Sequence, residues 1–500
     1  MKKQITFLLG LVCTFATAQN INDALQYSKD NTQGTARFQG MSGAFGALGG
    51  DMSSLSINPA GAAVFNNHQF TATLSNYYKK NNATYFNRNN EVDENYLEIN
   101  QIGGVMVFKS NKSNWSKLAI AANYGIVQNF DDNISIFGVS NQGIDTYFLE
   151  YAQGTPFGPL LIQDGEYIEE AYLDIGEKLG FVDQQTFLGY YGGLIDPVDE
   201  TNDDNVDYIS NADYNTVTQS FSQNTTGYNS KFSLNLASQY QENLYVGASL
   251  NMHSILYDKY TEFTETGYDT SSQIQRTTFD NYLHTEGSAF SFTLGAIAKL
   301  SDNIRVGGSY QSPTWYQLTD DTSQRISSDL ADENINFINF NVVNLYEKYT
   351  IKTPSKVTGS LAVIFGKDGL LSFDYGFQDM SEAELRPTND ASFAATNNSI
   401  ANQLGTISTY RLGGEYRINE VSLRGGYRYE QSPYANGNTI GDLNGYSFGV
   451  GYNFGPSRLD LAFNKTEQDA DKQLFNAGLA TPARINHINT NITIGYTVNF

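Results

Sequence analysis

The chain has 500 residues, a formal net charge of −23 and one cysteine. So acidic a chain lacks the basic footprint that nucleic acid requires, and a lone cysteine closes no internal disulfide. With 34 Tyr, 31 Phe and 45 Gly against 10 Pro, it suits many long strands with aromatic girdles better than helices.

In chain order, residues 1–18 read as a secretory leader. Lys2 and Lys3 are a positive start, Ile5 to Phe15 an apolar core, and Ala16-Thr17-Ala18 an A-x-A cleavage site. Cys13 leaves with it, and Val12 ahead of it fits a lipoprotein signal poorly. The mature chain from Gln19 then has no thiol for a disulfide or a metal. Residues 19–67 do not alternate; Gly34, Gly40, Gly43, Gly46, Gly49, Gly50 and Gly61 make them small and turn-rich, and Asn58-Pro59 is a turn signal. This composition predicts a segment packed in a confined lumen before the first strand.

Period-two alternation governs the rest. In the last segment Ile492, Ile494, Tyr496, Val498 and Phe500 share one parity, and Asn491, Thr493, Gly495, Thr497 and Asn499 the other. Tyr446 to Phe454, Leu371 to Gln378 and Phe290 to Lys299 repeat the pattern. One parity is apolar, the other small or polar, with little material left to cover the apolar face except lipid. Short turns are predicted at 110–116, 241–243, 301–303, 366–369, 419–420 and 455–457. Long polar connections are predicted at about 80–96, 134–221, 262–277, 319–342, 386–403, 432–441 and 467–483. Their strict alternation predicts an all-β fold, a fourteen-stranded antiparallel transmembrane barrel over 68–500 with both chain ends periplasmic. Within 134–221, Tyr167, Ala171, Tyr172 and Ile175 suggest a short amphipathic helix in an ordered, aromatic external patch.

Parity places Arg411, Glu415 and Arg417 on one lumenal row and Arg424, Arg428 and Glu430 on the next, joined by the Asn419-Glu420 turn. A ladder of ion pairs follows, either stiffening the wall and docking the N-terminal segment or leaving one arginine for a substrate carboxylate. His68, His253, His284 and His487 share no ligand spacing, so no metal or haem site is expected. Asp203-Asp204-Asn205-x-Asp207 lacks the glycine and distal glutamate of a calcium loop. No catalytic set and no cofactor are expected.

Four stretches, in order, resemble the FadL/TodX family of outer-membrane transporters for hydrophobic compounds. Gly40 to Gly61, with Asn58-Pro59-Ala60-Gly61, resembles its N-terminal hatch; Arg305 to Thr314 and Leu371 to Leu385 resemble two of its strands; Tyr410 to Tyr434 resembles its R-x-G-x-x-Y, turn, L-R-x-G-Y pattern. The resemblance implies a fourteen-stranded barrel with a hatch at 19–67 and passage of a hydrophobic molecule, such as a fatty acid or aromatic hydrocarbon, from an external patch into a lumenal pocket. Release would follow through the hatch or sideways through the wall into outer-membrane lipid. It directs attention to Asn58, Pro59, Ala60, Arg411, Arg417, Arg424 and Arg428 as hatch and substrate residues. The terminal aromatics Tyr496 and Phe500 resemble the signal read by the barrel-assembly machinery. The protein is expected to act as a monomer; the rival readings are a barrel partner in protein secretion or surface assembly, a haemin receptor and an outer-membrane enzyme.

Overall fold

The computed structural model describes residues 21–29, 31–111, 113–333, 335 and 342–500. The leader at 1–18 lies outside the described residues, as do 19, 20, 30 and part of the 319–342 connection.

Fourteen strands follow one another: β1 (Gln69–Tyr85), β2 (Arg88–Lys109), β3 (Trp115–Asn129, continued by Asp132–Ser140), β4 (Val217–Tyr240), β5 (Leu244–Thr266), β6 (Arg276–Lys299) and β7 (Ile304–Gln311, continued by Trp315–Ser328). Then come β8 (Asn344–Leu345, Tyr349–Lys352 and Lys356–Phe365), β9 (Gly369–Asp379 and Glu384–Arg386), β10 (Thr406–Ile418), β11 (Val421–Glu430), β12 (Leu443–Asn453), β13 (Ser457–Lys472) and β14 (Ala483–Asn499). Each pairs antiparallel with the next, and β14 closes on β1 from Gln69 opposite Asn499 to Thr84 opposite Arg484. Closure leaves no sheet edge, the condition for backbone to stand in hydrocarbon.

The alternation sorts as predicted. Ile494 and Tyr496 are each 49 % exposed, whereas Thr493 and Thr497 on either side of them are buried. Phe448 is exposed and Ser447 buried; Phe373 is exposed and Ser372 and Asp374 are buried. An apolar outside around a polar inside is the reverse of a soluble sandwich, and lipid is its cover.

The connections need correction. The expected loop at 80–96 is paired strand: β1 and β2 run on together to a tight tip at Phe86-Asn87, with Tyr85 opposite Arg88. Polar alternation there marks the outer limit of the lipid, and the ladder continues into water because backbone pairing does not depend on apolar faces. The 262–277 and 467–483 connections shrink for the same reason. The 386–403 connection holds a helix, α6 (Ala391–Gln403), that its Asn- and Thr-rich sequence did not announce; buried Phe393 and Ile400 hold it in place.

Between the two parts of β3–β4, residues 141–216 form an ordered lobe of α3 (Asp145–Ala152), α4 (Ile168–Lys178), α5 (Phe181–Tyr191) and a ribbon pairing Ile195–Pro197 with Tyr208–Ser210. Only α4 was signalled by periodicity. Tyr147, Phe148, Phe187 and Ile195 share one apolar core with the inward-facing wall residues Ile136, Phe221, Phe263, Phe279 and Ile326. Phe148 and Tyr147 stand 5.2 and 5.7 Å from Phe279. The lobe therefore stoppers the end of the barrel away from the short turns.

Candidate functional site

Residues 31–67 lie against the lumenal wall near the short-turn end. A short helix, α2 (Ala36–Gln39), is capped by Thr35, whose hydroxyl also donates to Asp51 at 2.7 Å. Asp51 caps the 3-10 turn Met52–Ser56, and Asn58 caps the next, Pro59–Val64, where Pro59 supplies a preset φ at the first position. The Asn58 side-chain amide then donates to the Gly46 carbonyl at 2.8 Å and to the Ala296 carbonyl of β6 at 3.0 Å. One side chain thus caps a turn, ties the segment to itself and ties it to the wall. The fit requires bare backbone opposite: a Cβ on Gly295 would sit 2.0 Å from Asn58 Oδ1, and one on Gly247 2.6 Å from the Pro59 backbone. Ala60 is fully buried in the same contact, and Asn235 donates to the Pro59 carbonyl at 3.1 Å.

The arginine rows form a network centred on two acids. Glu415 accepts from Arg424 at 2.7 Å, Arg417 at 2.8 Å and Arg37 of α2 at 2.9 Å; Asp460 accepts from Arg424 at 2.7 Å and Arg458 at 2.6 Å. Arg428 binds Glu430 and the Thr32 hydroxyl, and stands opposite Arg411, which in turn stands opposite Asp374. Asp374 accepts the backbone N–H groups of Phe45 and Gly46, each at 2.9 Å. Arg411, Arg424 and Arg428 are buried; Arg417 lies at the rim with its side chain 40 % exposed. The sequence rows pointed to the wall side of this network and missed Arg37, Asp374 and Asp460. Each had a signal: Arg37 is the one basic residue between 31 and 67, and both aspartates sit on lumenal parity.

Above the segment lie two adjoining cavities of about 250 and 120 Å³ that share Lys29, Gln33, Lys356 and Gln378. Amide and hydroxyl side chains dominate their walls, with Lys29, Lys79, Lys231, Lys356 and Arg428 against only Asp132 and Glu430. Beside them an apolar cluster gathers Ile255, Tyr316, Tyr349, Ile351, Met380 and Leu385 from the wall. It is filled by Ala24, Leu25 and Tyr27 of the N-terminal helix α1 (Ile21–Ser28); Tyr27 lies 5.0 Å from the Tyr316 ring.

The wall is not uniform. Between β2 and β3 the ladder ends at Gln101 opposite Gly125, and the outer part of β3 tucks behind the β1–β2 hairpin, where a Cβ on Gly138 would lie 2.5 Å from the Tyr85 ring. Side chains bridge the interval: Lys79 donates to the Asn129 carbonyl at 3.1 Å, Asn129 to Glu98 at 3.2 Å and Asn90 to Ser135 at 2.7 Å. At the closing seam, Tyr496 and Phe500 face outward, and the Phe500 N–H donates to the His68 carbonyl at 3.0 Å.

Residues 205–499 match the family described as outer membrane protein transport protein (OMPP1/FadL/TodX). Among solved structures the chain is similar to a Pseudomonas aeruginosa FadL homologue, with 11% identity, a TM-score of 0.58 and coverage of 94% of this chain and 99% of that one. It is also similar to the P. putida toluene transporter TodX and to the CymD monoaromatic hydrocarbon channel, each at 14% identity, a TM-score of 0.52 and the same coverages. At these identities the likeness is one of fold. No curated protein matches the chain. Since the family match takes in well over half the chain and the closed fourteen-stranded wall agrees with it, the protein belongs to the OMPP1/FadL/TodX family of outer membrane transport proteins.

Proposed function

We propose that this barrel is a passive outer-membrane channel for hydrophobic compounds, working as a monomer without cofactor or catalysis, with both chain ends in the periplasm and residues 31–67 as its hatch. The observation that carries the reading is the apolar cluster around Tyr316, Ile351 and Leu385 beside two lumenal cavities whose walls are mostly polar. A fatty chain gains about 0.8 kcal/mol per methylene on leaving water for such a site. Solved structures of similar fold named for toluene and monoaromatic hydrocarbons support an aromatic substrate.

In this reading Asn58 latches the hatch, and the buried arginine network docks it. The test is uptake of labelled toluene and oleate by cells that lack their own hydrophobic-compound channel. Cells carrying the chain should exceed the empty vector, and Asn58→Ala should raise uptake by leaving the Gly46 and Ala296 carbonyls without their donor, a loss of about 1–3 kcal/mol from the closed form. Uptake no better than the empty vector for both compounds would sink the proposal; stoichiometric co-purification of another protein would then favour a secretion or assembly partner.

A further inference from the structure

One polar atom of the wall beside the apolar cluster has no match in the protein. His253 lies on the lumenal parity of β5, is 8 % exposed and borders the smaller cavity together with Tyr27 and Tyr316. Its Nδ1 is 3.0 Å from the Asn229 side-chain oxygen, while the Asn229 amide nitrogen donates to the Tyr316 hydroxyl at 3.1 Å. An amide oxygen only accepts, so Nδ1 carries the imidazole proton and Nε2 keeps a lone pair. That Nε2 is buried and has no hydrogen-bond partner among the described residues. A buried acceptor in this state is costly, and only an N–H or O–H group relieves it.

Next to this nitrogen the cluster forms a seat for a ring. Tyr27 of α1 lies 5.0 Å from the Tyr316 ring and edge-on to Phe130 at 6.3 Å, and Phe130 meets Tyr257 edge-on at 5.1 Å. The His253 imidazole stands against the same Tyr316 ring, at 5.6 Å and 61°. Tilted and edge-to-face contacts of this kind favour an aromatic occupant, because ring edges and ring faces carry opposite partial charge. The ring now in the seat is itself a phenol with a substituent opposite its hydroxyl, supplied by the chain's own α1.

Three classes of guest differ at Nε2. A hydrocarbon leaves the nitrogen unpaired. An ionised carboxylate only accepts, so it sets lone pair against lone pair. A phenol brings the ring that the seat already fits, together with an O–H to donate.

We propose that the guest of this lumen is a monocyclic phenol: its ring takes the seat held by Tyr27, and its hydroxyl donates to His253 Nε2. His253 is then the residue that selects hydroxylated aromatics over plain hydrocarbons. This rests on the reading of the barrel as a hydrophobic-compound channel, and it narrows the class of compound.

The test compares three labelled compounds that share one ring and one methyl group. p-Cresol is the Tyr27 side chain cut at Cβ, toluene lacks its oxygen, and 4-methylanisole keeps the oxygen without the O–H. Binding to the purified full-length protein in detergent is measured by scintillation proximity, with each label referred to its free concentration in protein-free micelles. p-Cresol should bind about tenfold more tightly than either of the others, the fold-change expected of one bond to a buried acceptor. His253→Phe, checked as folded by gel mobility, should erase the difference between the labels, and His253→Gln, which again offers an acceptor, should restore part of it. The comparison on the unaltered chain stands even if neither variant folds. Equal affinity for p-cresol and toluene, equal affinity for p-cresol and 4-methylanisole, or a preference that survives in folded His253→Phe overturns the inference and leaves the channel reading standing. Absence of binding by all three removes the channel reading and the inference with it.

Discussion

Glu415 is the residue on which most of the buried charge depends. Three guanidinium groups converge on one carboxylate whose side chain is 1 % exposed. Removing a partner from a buried pair costs about 3–5 kcal/mol, far more than a surface pair is worth. Glu415→Ala should therefore lower the midpoint of urea unfolding followed by gel mobility of the barrel, and should free α2 from the wall. Arg417→Ala, at the exposed rim, should barely move it. Parity alone put Glu415 beside Arg424, because a two-residue period fixes both strand faces once the turn is known. It could not supply Arg37, 378 positions away in sequence, since no local pattern encodes which lumenal charge a non-repeating segment meets.

At the scale of elements, the strands were legible and the lobe was not. Strands facing lipid carry an alternation that a single sequence displays, whereas α5 buries Gln184, Gln185, Thr186, Phe187, Leu188 and Gly189 in one run and so shows no apolar stripe, against a core that exists only once the barrel mouth is formed. Phe187 is fully buried between the lobe helices and the wall. Phe187→Ala should cost about 3–5 kcal/mol and make residues 141–216 cleavable by protease while the barrel stays intact. Asp145 of α3 gives the lobe a pH dependence. Burial raises its pKa, against the hydrogen bonds it accepts from Ser210 and Tyr214. A carboxyl whose folded pKa is raised favours the folded state most when protonated, so its contribution is full below the ordinary value near ~3.9. That contribution is lost as pH rises through the raised value. Protease resistance of the lobe should thus increase on acidification through that window, and Asp145→Asn should flatten the change. The helix α6 went unread for a similar reason: Phe393 and Ile400 find their partners on α1 and the wall, not within their own segment.

For the whole molecule, the architecture is a closed wall with both ends filled, by residues 31–67 at the short-turn end and by the lobe at the other. Strand number and closure were legible because turns and alternation are local; the interval between β2 and β3 was not, because it arises where the outer part of β3 leaves its neighbour, which no local pattern marks. The central claim is that the apolar cluster inside this wall receives an apolar guest. The direct measurement is a crystal structure of the full-length protein grown with a bromoalkane, read by bromine anomalous scattering. The account expects a peak inside the lumen against Tyr316, Ile351 and Leu385, with Leu25 and Tyr27 shifted from the positions they now fill. Bromine found only in the detergent belt or on the outer lobe, with the cluster still filled by α1, would contradict it.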